Sequence, residues 1–261
     1  MKRKTSDIKK IVREGYAKAI RQNTSCCSTN SCCGSTGQAK TISKKVGYSD
    51  AEINAVPEGA NLGFGCGNPV AIASLREGDA VLDLGSGAGF DAFLAAQRVG
   101  LAGRVIGVDM TPEMVEKAEK NAKKGKYKNV EFRLGEIEKL PVDDNSIDVI
   151  ISNCVINLSP EKQKCFKEAF RVLKPNGRLM VSDLVLVKEL PNIIKESVEA
   201  YVGCFAGAIM KNEYLEFIAA AGFKDVKVVS ESNYPLDAMV NDDLKSIKDA
   251  VVSIKVAAVK R

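Results

Sequence analysis

One segment, residues 80–99, constrains the fold more than any other part of this chain. The mostly apolar run Ala80-Val81-Leu82-Asp83-Leu84 predicts a β-strand, and Gly85-Ser86-Gly87-Ala88-Gly89 follows it at once as a glycine-rich turn. Residues 90–99 then continue as a helix. A strand, a glycine turn and a helix in this order form the setting in which a parallel sheet binds a nucleotide-type ligand. The sequence therefore predicts a ligand site at the carboxyl end of this strand.

Strand and helix patterns keep alternating after this segment. Further strands are predicted at 104–109, 129–134, 147–152 and 178–183, and a helix at 161–173. Another helix is predicted to begin at Pro112, with Thr111 as its N-cap. Because strands alternate with helices, the sequence predicts an α/β fold, a doubly wound and mostly parallel sheet with right-handed crossovers.

The flanking segments suggest a division into three parts. The N-terminal part, residues 1–48, is predicted to hold a helix over 5–21 and a flexible, cysteine-rich segment over 22–41. The core, residues 49–190, is predicted to begin with a short helix over 49–58. The C-terminal part, residues 191–261, is predicted to be helical over 191–222 and to add strands at 223–230 and 251–259.

Composition limits the location and partners of the protein. The 261 residues contain no apolar run near the roughly 20 residues that cross a bilayer, and the basic N-terminus has no apolar stretch after it. We therefore expect a cytoplasmic protein without a membrane partner. The net charge of +5 is mild, and no aromatic residues stand among the lysines of Lys123–Lys126. No nucleic-acid partner is expected, and a monomer is the favoured oligomeric state.

The chain contains no histidine but eight cysteines. The absence of histidine excludes histidine general bases, Ser-His-Asp and Cys-His nucleophiles, and histidine-ligated zinc. In a reducing compartment, eight cysteines indicate metal binding or catalysis before they indicate a disulfide framework. The chemistry must therefore use thiolates, carboxylates, backbone groups or a cofactor.

Three cysteines, Cys66, Cys154 and Cys204, each lie in or beside a predicted turn, placed to face one site above the sheet. Three converging thiolates would form a soft trigonal site that suits a thiophilic metal or metalloid. For each one alone, a buried structural cysteine is the simpler interpretation. The glycines around Cys66 and Cys204 weaken that interpretation, because they indicate close backbone approach. Cys165 lies on a helix with apolar neighbours and is expected to be a core residue.

The glycine turn resembles that of the class I S-adenosylmethionine-dependent methyltransferases. A dinucleotide site would place glycine where this chain has Phe90, and the turn Lys174-Pro175-Asn176-Gly177 precedes the fifth strand as in many members. The resemblance implies a Rossmann-like fold and S-adenosylmethionine as the methyl donor. It also implies that Asp109 binds the ribose and that Glu136 and Ile137 flank the adenine. The donor-binding residues predicted on this basis are Asp83, Gly85, Ser86, Gly87, Gly89, Asp109, Met110, Glu136, Ile137 and Asn153.

After the fourth strand the chain has Asn153-Cys154-Val155-Ile156 where many nitrogen methyltransferases have an Asn/Asp-Pro-Pro-aromatic motif. Over residues 45–230 the chain instead resembles the arsenite S-adenosylmethionine methyltransferases, most clearly in Thr111–Met114 and Ser152–Leu158. This resemblance implies that Cys66, Cys154 and Cys204 bind trivalent arsenic. It also implies that an upstream cysteine, Cys32 or Cys33, takes part in thiol–disulfide chemistry. Because Cys26-Cys27 is a second vicinal pair, the choice among these cysteines stays open.

The implied substrates are arsenite and methylated arsenicals, and the implied role is arsenic detoxification. Methylation raises the oxidation state of arsenic, so a thiol reductant such as thioredoxin or glutathione is an expected partner. Two alternatives stay open. One is a methyltransferase of another small molecule with structural cysteines, and the other is a non-catalytic metal-binding or metalloid-sensing protein. The number of methyl groups transferred and the preference for arsenic over antimony do not follow from the sequence.

Overall fold

A computed structural model describes residues 5–21, 36–69, 74–234 and 247–261. Cys26, Cys27, Cys32 and Cys33 lie outside these ranges. The part that these four cysteines take in disulfide exchange therefore stays a prediction.

A seven-stranded sheet with the strand order β3-β2-β1-β4-β5-β7-β6 forms the centre of the described chain. Neighbouring strands among β1 to β5 are parallel, whereas β7 is antiparallel to both β5 and β6. The fold is thus the doubly wound, mostly parallel α/β sheet that the alternating patterns predict. The strands are β1 (Ala80–Leu84), β2 (Arg104–Asp109), β3 (Val130–Leu134), β4 (Ile147–Asn153), β5 (Leu173–Leu186), β6 (Lys224–Asn233) and β7 (Val251–Val259).

Helices cover both faces of this sheet, because alternate strand residues point to opposite sides. Val81 packs with α4 and α5 on one face, and Leu82 packs with α6 and α9 on the other. Among the described helices, none has the length and apolar character needed to cross a membrane. The helices are α1 (Thr5–Arg21), α2 (Thr36–Lys45), α3 (Asp50–Ala55), α4 (Phe90–Val99), α5 (Pro112–Lys124), α6 (Lys162–Val172), α7 (Asn192–Lys195), α8 (Val198–Val202) and α9 (Lys211–Ala220).

Helix α2 begins inside the segment 22–41, for which the sequence predicts a flexible chain, so that prediction is wrong from residue 36 onward. Contacts from outside the segment explain the helix. A Cβ atom built on Gly63 would lie 3.0 Å from the Cα of Ala39, so the loop around Gly63 lies directly against α2. Composition indicates disorder only when such tertiary contacts are absent.

Two other predictions need correction. The predicted turn Lys174–Gly177 is an irregular part of β5, because Ile147 pairs with Leu173 but Val149 pairs with Arg178. The region 191–222 is not continuously helical. It forms three short helices, and the turn between α8 and α9 holds Cys204.

Candidate active site

A deep pocket opens at the carboxyl ends of β1, β2 and β4, where ligands bind in open parallel sheets. The glycine turn after β1 lines one part of this pocket. Cys154, which follows β4, and Cys204, in the turn after α8, line another part of the same pocket. The predicted ligand site and two of the three predicted thiols therefore share one cavity.

The glycine turn is held open toward this cavity. The backbone N–H groups of Gly85 and Ser86 both donate to the carbonyl oxygen of Val108, at 2.8 and 3.1 Å, which fixes the turn against β2. Gly87 has a φ of +51°, in the left-handed region that favours glycine. A Cβ atom built there would find only the Met114 sulfur within 4 Å, at 3.9 Å. The space above Gly87 is therefore free for a ligand.

Asp109 ends β2 with its carboxylate beside this turn. Its Oδ2 accepts a hydrogen bond from Gly87 N at 3.0 Å, and its Oδ1 accepts one from Thr111 N at 2.8 Å. A carboxylate offers about four acceptor sites, so each oxygen keeps one for a ligand hydroxyl. Burial raises the pKa of Asp109, while the two backbone donors favour its charged form. The arrangement suits a pair of adjacent hydroxyl groups such as those of a ribose.

Asp83 and Ser86 carry buried polar atoms without a partner. Among the described residues, Asp83 Oδ2 and Ser86 Oγ are buried and make no hydrogen bond, and both residues line the pocket. Burial raises the pKa of Asp83 well above its usual value, and the nearby Asp91 and Asp109 carboxylates raise it further. Unsatisfied polar atoms of this kind are rare in native proteins. A cationic ligand with hydrogen-bond donors would satisfy them, and S-adenosylmethionine has both properties.

Most of the predicted donor-binding residues line the pocket, but two do not. The residues on the pocket wall are Asp83, Gly85, Ser86, Gly87, Asp109, Met110, Ile137 and Asn153. Gly89 lies behind the turn, where a Cβ atom would meet Phe93 at 2.7 Å. Glu136 is exposed and pairs with Lys9 at 2.8 Å, so the structure does not support its predicted place beside the adenine. Gly135, Ile137 and Glu138 face the pocket instead.

Helix α1 covers one side of the pocket, which its position in the sequence did not indicate. Lys9, Val12 and Tyr16 line the cavity from this helix. The Tyr16 ring meets Phe64 edge to face, with ring centroids 5.4 Å apart, and Lys9 lies 3.2 Å from Glu138. The N-terminal part of the chain therefore contributes directly to the pocket wall.

Cys66 lies in a loop pressed against β5. A Cβ atom on the next residue, Gly67, would lie 1.8 Å from Ser182 Oγ, so only glycine permits this approach. The Cys66 thiol is 3.5 Å from the Ser182 carbonyl oxygen, and Ser253 Oγ donates to the Cys66 carbonyl at 2.6 Å. Cys66 is buried but is not part of the pocket wall, and burial raises the pKa of its thiol.

Cys154 and Cys204 both have left-handed backbones, with φ values of +60° and +68°. For a residue other than glycine this conformation costs about 1–2 kcal/mol. The Cys204 thiol donates to the Cys154 carbonyl oxygen at 3.0 Å, and Cys154 N donates to Ser182 O at 2.8 Å. Burial raises the pKa of the Cys154 thiol well above its usual value, and the adjacent Cys204 and Cys66 thiols raise it further. Strained backbones at two neighbouring thiols indicate a functional site.

Asp183, which the sequence analysis did not select, lies beside these thiols. Ligand atoms of Cys66, Cys154 and Asp183 all lie within 4.8 Å of one another, and all three residues are buried. Asp183 Oδ1 accepts hydrogen bonds from Asn157 Nδ2 and Leu184 N, at 2.8 and 3.0 Å, and Oδ2 accepts one from Tyr214 at 3.1 Å. Burial raises the pKa of Asp183 to about 7. The sequence feature that could have identified Asp183 is its charge, since it lies within the mostly apolar run Leu179–Leu186.

Asn153 connects the thiol site, which consists of Cys66, Cys154 and Cys204, to the end of β4. Its Oδ1 accepts a hydrogen bond from Cys66 N at 3.0 Å, and its Nδ2 lies 2.8 Å from both the Gly67 carbonyl and the Tyr48 hydroxyl. Nδ2 also lies 3.1 Å from Asp91 Oδ2. Its polar atoms are thus occupied in holding the Cys66 loop. The predicted contact of Asn153 with the donor stays a prediction, although the residue lines the pocket.

Comparisons with known proteins agree on one family. A family model described as a methyltransferase domain matches residues 75–222. The chain is 45% identical to an arsenite methyltransferase of Halobacterium salinarum over 87% of its own length, and 34% identical to the human arsenite methyltransferase over 91%. It covers only 60% and 65% of those two relatives, so the chain spans less than two thirds of their length.

A solved structure gives the same result. The arsenic(III) S-adenosylmethionine methyltransferase of Chlamydomonas reinhardtii is 32% identical and superimposes with a TM-score of 0.67. The match covers 84% of this chain and 73% of that one. The YcgJ protein of Bacillus subtilis, at 23% identity and a TM-score of 0.59, shares the fold.

Proposed function

This chain belongs to the arsenite methyltransferase family, and from that premise we propose that it transfers a methyl group from S-adenosylmethionine to trivalent arsenic held by Cys66, Cys154 and Cys204. The observation that carries the proposal is that these thiols lie close together beside the glycine-turn pocket. The Cys66 and Cys154 sulfurs are within 4.8 Å of each other, and the Cys204 thiol donates to the Cys154 carbonyl oxygen at 3.0 Å. Cys154 and Cys204 both have left-handed backbones. A soft acceptor requires soft ligands, and thiolates from three separate segments provide them.

The residues of the glycine-turn pocket would hold the methyl donor. Asp109 binds the two ribose hydroxyls, and Asp83 lies where a positive charge of the donor compensates its buried carboxylate. Ile137 offers an apolar surface to the adenine. When bound, S-adenosylmethionine supplies an electrophilic methyl group on a sulfonium. The role of the protein is to place that methyl group near the thiol site, and positioning of two reactants can contribute about 7–11 kcal/mol.

Arsenite loading requires no general base. Each thiol that bonds to arsenic loses its proton, each departing hydroxyl of arsenite takes one up, and water leaves. Raised pKa values at Cys66 and Cys154 are compatible with this exchange, because the thiols enter it in their protonated form. Arsenic bound by three thiolates keeps a lone pair. That pair would attack the methyl carbon of the donor while the methyl–sulfur bond breaks, and S-adenosylhomocysteine would leave as a neutral thioether. A chain without histidine therefore suffices.

The proposal is tested by product analysis with the whole chain. The protein is incubated with arsenite, glutathione and S-adenosylmethionine labelled in its methyl group, and the arsenic species are then separated. Labelled methylarsenicals are expected. If the chain binds the donor but label never appears on arsenic, another small molecule is the acceptor. If the chain does not bind the donor at all, the result favours the alternative that it is a non-catalytic metalloid-binding protein.

Asn153 is proposed to position Cys66. Replacing it by Ala leaves Cys66 N and the Gly67 carbonyl without a partner, at about 1–3 kcal/mol for each buried group. We expect Asn153→Ala to raise the KM for arsenite roughly ten-fold and to leave donor affinity nearly unchanged. Tyr48→Phe is the matched control, because it removes one partner of Nδ2 and preserves the bond from Cys66 N. A loss of donor affinity with an unchanged KM for arsenite would instead favour a donor contact by Asn153.

The four N-terminal cysteines are proposed to regenerate the enzyme. Methyl transfer formally oxidises arsenic from the trivalent to the pentavalent state, and two thiols can return it by giving up two electrons and forming a disulfide. Thioredoxin or glutathione would then reopen that disulfide by thiol exchange. Cys26-Cys27 and Cys32-Cys33 are two vicinal pairs of thiols, and a pair of thiols is what this reduction needs.

Replacing all four by Ser should preserve the first turnover and impair the later ones. The measurement compares single-turnover with multiple-turnover rates, with thioredoxin as the reductant. We expect a normal single-turnover rate and a multiple-turnover rate that falls or depends on added glutathione. An equal loss in both regimes would indicate a structural role, and no loss in either would show that the segment is dispensable.

A further inference from the structure

We propose that the thiol site also binds a divalent cation of the zinc group, zinc(II) or cadmium(II), through Cys66, Cys154 and the carboxylate of Asp183, with Cys204 as the fourth ligand. Such a cation would exclude arsenite from the same thiols and so regulate the enzyme. The inference rests on the proposed thiol site, but its test does not require methylation of arsenic.

The positions of the donor atoms suit a tetrahedral ion. The two thiol sulfurs and a carboxylate oxygen of Asp183 lie within 4.8 Å of one another in a buried site. Zinc binds sulfur at about 2.3 Å and oxygen at about 2.0–2.2 Å, which places neighbouring ligand atoms about 3.5–3.8 Å apart. Shifts of about 1 Å would therefore close the site. The Cys204 sulfur is not within 4.8 Å of all three of these atoms. Its thiol donates to the Cys154 carbonyl oxygen at 3.0 Å, so the Cys204 side chain would have to turn toward the ion to become the fourth ligand.

Asp183 has the supporting contacts that a ligating carboxylate needs. Metal-bound carboxylates are themselves hydrogen-bonded, which fixes their orientation. Asp183 Oδ1 accepts bonds from Asn157 and from the backbone of Leu184, whereas Oδ2 accepts one bond, from Tyr214. Oδ2 therefore keeps acceptor capacity for a cation. Tyr214 is fully buried, so this support is part of the core.

The net charge of the site differs between the form that binds arsenic(III) and the form that binds zinc(II). Arsenic(III) forms three covalent bonds to three thiolates and is then neutral, so it has no need of a carboxylate. Zinc(II) with three thiolates and Asp183 carries two excess negative charges. The buried side chain of Lys162 donates to the carbonyl oxygens of Asn157 and Ser159, at 3.2 and 2.8 Å. Burial lowers the pKa of Lys162, whereas negative charge on Asp183 and Cys204 raises it, so a negatively charged zinc site would favour its ammonium form and offset one charge. The thiol protons pass to the solvent buffer. Asp183 should therefore matter for zinc and not for arsenite.

The test uses cobalt(II) as a spectroscopic probe, followed by zinc titration. All measurements use the full chain with Cys26, Cys27, Cys32 and Cys33 replaced by Ser, because those thiols can bind zinc themselves. In this background the variants are Asp183→Asn, Cys154→Ser and Cys165→Ala. Cys165→Ala is the matched control, because Cys165 is a buried thiol in the core beside Phe166. Arsenite binding is measured in parallel by equilibrium dialysis.

We expect one cobalt(II) per chain, with intense thiolate-to-cobalt absorption that zinc removes. Cys154→Ser should lose the absorption, and Cys165→Ala should keep it. Asp183→Asn should lower zinc affinity at least about ten-fold and leave arsenite affinity unchanged. The proposal is overturned if no cobalt binds or if Asp183→Asn binds zinc normally. It is also overturned if Asp183→Asn loses affinity for zinc and for arsenite to the same extent. A cobalt site in a chain that never methylates arsenite would overturn only the proposed function.

Discussion

Replacing Cys66, Cys154 or Cys204 by Ser should lower arsenite methylation by more than about 100-fold. Loss of an outer contact to a metal site typically costs 10–100-fold, and each of these changes would remove a proposed ligand itself. Serine is nearly isosteric with cysteine, and its oxygen is a poor ligand for a soft acceptor. The measurement is the initial rate of methylarsenical formation for each variant, beside the unchanged chain.

Two controls separate ligand loss from damage to the fold. Cys165→Ala removes a buried thiol of the core and should leave the methylation rate nearly unchanged. All three variants should bind S-adenosylmethionine normally, because the residues proposed to bind the donor lie on the glycine turn and β2. Partial activity on already methylated arsenic is expected, since that substrate has fewer open positions. Near-normal rates in all three variants would contradict the three-thiol site.

Asp109→Ala should weaken S-adenosylmethionine binding by about 10–150-fold. The change would remove the proposed hydrogen bonds to the ribose, and one bond to a charged group contributes about 1.5–3 kcal/mol. Gly87→Val should weaken binding as well, because its side chain would enter the space above the glycine turn and its φ of +51° strains any β-branched residue. Titration calorimetry with the donor measures both effects.

Glu136→Ala is the control for the donor prediction. The family resemblance implies that this residue lies beside the adenine, but the structure places it in an exposed ion pair with Lys9. Its removal should change donor affinity little, since exposed ion pairs contribute about 0–1 kcal/mol. Unchanged affinity in both Asp109→Ala and Gly87→Val would mean that the glycine turn is not the donor site.

Local patterns were sufficient for most of the sheet and for the place of the glycine turn. The bounds of β1 and β2 are those that the sequence predicts, because their apolar runs are buried and polar or glycine residues follow them. Local sequence also places Asp109 at the edge of the sheet where ligands bind, since it ends a parallel strand, whereas its contact with a ribose is implied only by the family resemblance. Local sequence therefore determines this part of the structure.

Other parts depend on contacts between distant segments, which no local pattern reveals. Helix α2 forms in a segment of low apolar content because the Gly63 loop packs against it. Asp183 joins the thiol site because β5 continues past it to Leu186 and its carboxylate meets Asn157 and Tyr214. Glu136 lies outside the pocket because, in the turn after β3, the neighbouring residue Ile137 is the one that lines it. Contacts between distant segments and the direction of side chains determine where these residues lie.

The most direct test of the three-thiol site is X-ray absorption at the arsenic edge of the arsenite-bound protein. The sample is the full chain with Cys26, Cys27, Cys32 and Cys33 replaced by Ser, so that only Cys66, Cys154, Cys165 and Cys204 remain as thiols. We predict three sulfur neighbours for each arsenic atom, fewer than three in Cys154→Ser, and three again in Cys165→Ala. Three sulfur neighbours retained in Cys154→Ser would contradict the account.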